Sequence, residues 1–211
     1  MTAGGEVDRR VVLRRRIRLL VAATITYNVI EAVVAIAAGT VAGSVALIGF
    51  GLDSVIEVTS AAAIAWQFAA ADPERRERTA LRIVAGSFFA LAAFVTVEAV
   101  RTLTTGDEPD RSTVGIVLVA VSVVVMPFLS WVQRRAGREL GSASAVADSR
   151  QTLICTYLSA GVLVGLVLNA LLGWWWADPL VALGLAVVAV REGRDALRGE
   201  TCASCCAGAS R

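Results

Sequence analysis

Long apolar blocks broken by short polar or charged segments dominate this 211-residue chain. Six blocks run over roughly 18–38, 44–71, 80–104, 113–133, 150–173 and 178–195. They are continuous runs, not amphipathic stripes, and a run of roughly 18 or more residues with few charges reads as a membrane-spanning helix. The pattern predicts an all-α membrane protein with six transmembrane helices over 17–198, a basic arm over 1–16 and a tail over 199–211. Only "GTVAG" separates the first two blocks, which predicts a tight helical hairpin. The last two are joined by "GWWWADP", whose tryptophans suit a membrane–water interface. Pro179 fits the first turn of the sixth helix, where its missing N–H costs nothing.

Charge then orients the bundle. All 20 basic residues are arginines. They gather in the N-terminal segment (Arg9 to Arg18), in "ADPERRERTALR" between blocks 2 and 3, around Arg134, Arg135 and Arg138 between blocks 4 and 5, and at Arg191, Arg194 and Arg198. The opposite ends carry uncharged hairpin tips and the acidic loop "TTGDEPDR". By the positive-inside rule both termini are cytoplasmic. The arm 1–16 reads as disordered, and the tail as flexible. No cleavable signal peptide is expected, since the first apolar run is long enough to span. Arginine without lysine points to a GC-rich bacterial genome, and hence to the inner (plasma) membrane of a bacterium.

The chain is 56% hydrophobic, above the roughly 45–50% of soluble domains. It contains no histidine, which removes the commonest metal ligand and the usual proton carrier near neutral pH. Without histidine no nucleophile–base set can be assembled, so an enzyme is not expected. The four cysteines do not form a disulfide framework. Cys155 is in an apolar block, and Cys202, Cys205 and Cys206 cluster in the tail, as reduced thiols if the tail is cytosolic.

The polar residues inside the blocks are few. Block 1 has Asn28 and Glu31, block 2 has Asp53 and Glu57, block 3 has Glu98 near Arg101, and block 5 opens with "ADSRQTLICTYLS". A carboxylate at the bilayer centre costs roughly 2.5–3.5 kcal/mol on insertion scales. Asp53 and Glu57 are four apart and share a helix face. A divalent cation between them would remove their repulsion and offset their desolvation. Gln151 and Cys155 form a second pair four apart, with Asp148 and Thr152 on the same face, so two facing helices would supply four ligands, the number zinc prefers. Asn28 and Glu31 are candidates to support such a site or to pack helices, and Glu98 pairs with Arg101 at the interface. The alternative for the buried carboxylates is that they are protonated and hydrogen-bonded across helices as glue.

These motifs resemble the cation diffusion facilitator family of six-span divalent-metal exporters, over about residues 17 to 198. The family's span 2 carries a Ser-x-x-Leu stretch and two site residues four apart. "SVALIGFGLDSVIE" has that shape, with Asp53 and Glu57 in the site positions. Its span 5 commonly reads His-x-x-x-Asp-x-x-x-Ser, then Gly-Trp and Asp-Pro. Here the frame is kept by Gln151, Cys155, Ser159, Gly173, Trp174, Asp178 and Pro179. Gln151 and Cys155 depart from the pattern, and a thiolate favours zinc, cadmium and other softer ions over magnesium or manganese. The resemblance implies a metal site of Asp53, Glu57, Gln151 and Cys155, and a homodimer. The family's cytosolic C-terminal domain has no counterpart after block 6, which implies a short subgroup without it.

The expected function is a secondary transporter that exports a divalent cation, zinc or a similar softer ion, from the cytosol by proton antiport. The ion is the transported substrate, and no cofactor or nucleic acid is expected. Cys202, Cys205 and Cys206 are candidates for metal capture near the cytosolic entrance, or for lipidation or oxidation. The competing readings are a non-transporting metal sensor or structural protein, and an exporter of organic cations with Asp53 and Glu57 as counter-ions.

Overall fold

The computed structural model describes residues 3–68, 73–140 and 143–198. Six helices follow in chain order: α1 (Ala3–Ala42), α2 (Val45–Phe68), α3 (Pro73–Thr105), α4 (Thr113–Leu140), α5 (Ala143–Leu172) and α6 (Ala177–Arg198). There is no strand among the described residues.

The helices run past the apolar blocks on the arginine-bearing side. α1 is helical from Ala3, so most of the segment expected to be a disordered arm continues the first helix. α4 likewise extends through Arg134, Arg135 and Arg138. Arginine is a good helix former and no proline interrupts these segments, so nothing local ends the helix at the membrane surface. Arg135 also lies over the Trp131 ring, 5.8 Å from its centroid, a cation–π contact at the membrane edge.

Five helices contain stretches long and apolar enough to cross a membrane: Ala22–Ala42, Val45–Ala63, Arg78–Thr105, Thr113–Val132 and Cys155–Leu172. α6 falls short of the same measure. Its uncharged stretch from Pro179 to Val190 is twelve residues, about 18 Å at the helical rise, before Arg191, Glu192, Arg194 and Asp195. α6 packs against α3, α5 and α2 on one face and leaves Leu180, Val187 and Leu197 exposed on the other. Valines and aromatics such as Val33, Val97, Val124 and Phe128 face outward, as lipid-facing side chains do.

The hairpin tip between α1 and α2 is built from local signals. Gly43 takes a left-handed φ of 64°, and the Ser44 N–H turns back to the Gly39 carbonyl at 2.9 Å, which closes the C-terminus of α1. Ser44 then caps α2, its hydroxyl accepting the Leu47 N–H at 3.1 Å. Asp178 at the start of α6 completes this end. It accepts the Ser44 hydroxyl at 2.5 Å and the Ala46 N–H at 3.2 Å, so α2 and α6 start at the same level. α1 and α2 approach closely: a Cβ on Gly51 would lie 2.8 Å from Ile36 Cγ1 and 3.0 Å from Ala35 Cβ. Small residues at such crossings drive packing in lipid, and this one holds the polar stretch of α2 against α1.

Candidate metal centre

Asp53 and Glu57 lie two and three turns into α2, on the face turned toward α5 and α6. Cys155 reaches them from α5. Its sulfur is 3.8 Å from Asp53 Oδ2 and in direct contact with Glu57 Oε1. One donor atom from each of the three lies within 4.8 Å of the others. Asp53 is buried, and Glu57 and Cys155 are half-buried.

The three donors border a cavity of about 10 Å³ closed by Phe88, Leu158 and Leu185. That is room for one water-sized particle. Two carboxylates and a thiol around so small a space match a single cation better than any organic molecule. Apolar walls on much of the cavity strengthen each polar contact made inside it.

Asn28 from α1 buttresses the far side of Glu57, its amide Nδ2 donating to Glu57 Oε2 at 2.5 Å. The other end of that amide, Oδ1, is buried with no partner. Glu31, one turn on, does not touch the cluster. Its carboxylate accepts the Ser54 hydroxyl at 2.8 Å and the Ser122 hydroxyl, and Ser122 meets the Tyr27 hydroxyl at 2.7 Å. This network ties α1, α2 and α4 and is what a fully buried carboxyl needs. Ser122 and Tyr27 escaped the reading of the chain because a lone Ser or Tyr in an apolar run carries no periodic signal.

The side chains of Asp148, Gln151 and Thr152, and the tail cysteines Cys202, Cys205 and Cys206, lie outside the described residues. Glu98 pairs with Arg101 at 3.5 Å, an exposed pair worth little. One residue that the reading of the chain passed over lines the same cavity: Glu192 of α6. Within "REGR" it looks like a topology charge. Its placement depends on which face α6 turns inward.

The model of the cation efflux transmembrane domain matches residues 21–200. The chain belongs to the cation diffusion facilitator family. It is 31% identical to an uncharacterized transporter of Synechocystis sp. over 168 residues, 75% of this chain and 54% of that protein. It is 38% identical to the cation-efflux pump FieF of Shewanella oneidensis over 77 residues, 36% of this chain and 26% of the pump. The chain thus spans about half the length of the first of these relatives and a quarter of the second. Membership accounts for the six-helix bundle. Among the described residues, Asp53, Glu57 and Cys155 form a group of three metal-ligating side chains whose donor atoms converge.

Proposed function

We propose that this protein is a secondary transporter that carries a divalent metal ion, zinc or a similar softer ion, out of the cytosol. The observation that carries the reading is the convergence of Asp53, Glu57 and Cys155 donor atoms within 4.8 Å around a single-ion cavity. A thiolate beside two carboxylates favours Zn²⁺ and Cd²⁺ over Mg²⁺ and Mn²⁺. The positive-inside distribution of arginine orients the bundle with both termini in the cytoplasm of a bacterial cell. Family membership, and a relative named a cation-efflux pump, support export.

Protons are the coupling ion in this reading. All three donors lose their ligand electrons on protonation, so metal and H⁺ compete for one site. Metal affinity falls as pH falls, and an alternating-access bundle converts that competition into antiport. Glu57 is held for the ion by Asn28, and Asp53 by its position on α2 behind the Gly51 crossing.

The test is metal uptake into inside-out proteoliposomes carrying a pH gradient, scanning Zn²⁺, Cd²⁺, Co²⁺ and Mn²⁺. Uptake with proton counter-flow, lost in Asp53→Ala, is the expected result. Bound metal with no flux for any ion would reduce the cluster to a sensing or structural site.

A further inference from the structure

Four acidic or thiol groups, not three, border the cavity. Glu192 lines it together with Asp53, Glu57 and Cys155. No hydrogen bond or ion pair holds the Glu192 side chain among the described residues. Its arginine neighbours Arg191 and Arg194 are exposed, whereas Glu192 is half-buried. Asp195 follows three residues on, so α6 places a second carboxylate beside the first with no described ion pair between either and a cation. Like charges at that spacing destabilise a helix.

The depth of Glu192 follows from the Ser44–Asp178 clamp, which sets the starts of α2 and α6 level. At the helical rise, Asp53 is roughly 10 Å along α2 from Ala46, Glu57 roughly 16 Å, and Glu192 roughly 21 Å along α6 from Asp178. Glu192 therefore lines the cavity from roughly four turns into α6 past Asp178.

We infer that Glu192, which lines the cavity from α6 but whose carboxylate lies outside the set of donors within 4.8 Å of one another, closes in as a fourth ligand when the transported cation binds. The inference rests on the reading of Asp53, Glu57 and Cys155 as that site. Four donors meet the coordination number of zinc without Gln151, whose neutral amide oxygen is a weaker ligand. A carboxylate on α6 also makes the site span three helices. An ion bound there then bridges α2, α5 and α6, and its release frees α6 from the other two.

Cadmium binding to the detergent-solubilised full chain, with Cys202, Cys205 and Cys206 each replaced by serine in every sample so that Cys155 is its one thiol, tests this, read by calorimetry and by the ultraviolet thiolate-to-cadmium charge-transfer band. E192Q is expected to weaken cadmium affinity at least tenfold, the lower end of what losing even a supporting partner costs, while keeping the Cys155 band. E192D, which keeps the carboxylate and the fold, is expected to recover part of the loss. Wild-type affinity in E192Q, with binding abolished in D53A, would overturn the fourth ligand and leave the three-residue site standing. Binding that survives both D53A and C155S would overturn the site itself and the inference with it.

Discussion

Replacing Asn28 by leucine separates a residue that positions the site from one that merely packs helices. The asparagine amide donates to Glu57 Oε2 at 2.5 Å, and its Oδ1 is buried without a partner. Removing the hydrogen bond to a carboxylate loses about 1.5–3 kcal/mol, and removing the unsatisfied oxygen recovers about 1–3 kcal/mol of desolvation. Leucine keeps asparagine's number and branching of side-chain heavy atoms, so its fork occupies the same place with bulkier tips. The stability terms nearly cancel, and the melting temperature of the metal-free protein is expected to stay within about 3 °C of wild type. Metal binding has no such cancellation. Glu57 loses the donor that fixes its carboxylate, and loss of such partners weakens metal sites about 10–100-fold. The assay pairs tryptophan-monitored thermal unfolding in detergent with calorimetric titration of Zn²⁺ and Cd²⁺. A large fall in melting temperature with unchanged metal affinity would refute the argument and make Asn28 a packing residue.

Three further outcomes follow from other parts of the structure. Cys155→Ser should shift the metal ranking in the flux assay away from Cd²⁺ and toward Mn²⁺, because a hard oxygen replaces the soft sulfur; an unchanged ranking would mean that the thiol does not touch the ion. Asp178→Ala removes the acceptor of both the Ser44 hydroxyl and the Ala46 N–H. It should cost about 3 kcal/mol or more in thermal unfolding, with Asp178→Asn milder because it keeps one acceptor oxygen. Gly51→Ala should cost about 1–3 kcal/mol by overpacking, since its Cβ would meet Ile36 and Ala35 at 2.8 and 3.0 Å; a stable variant would show that the α1–α2 crossing can open.

The sequence by itself determined the class and most of the elements. Apolar run length is a one-dimensional quantity set by the thickness of the bilayer, so it could be read without knowing any contact. The spacing of Asp53 and Glu57 likewise put them on one face of α2, since a helix repeats every 3.6 residues. Run length misjudged the helix ends on the arginine side, because lipid limits hydrophobicity and not helicity. Run length says least about α6, whose uncharged stretch is short and which packs against α3, α5 and α2. Only the tertiary structure decided which faces meet. It brought Cys155 of α5 onto the α2 carboxylates, set Asn28 rather than Glu31 against them, and turned Glu192 inward from between two exposed arginines. Those outcomes depend on the rotation of each helix about its axis. That rotation is set by glycine crossings such as Gly51 against α1 and by clamps such as Ser44 with Asp178, which join residues more than a hundred positions apart in the chain.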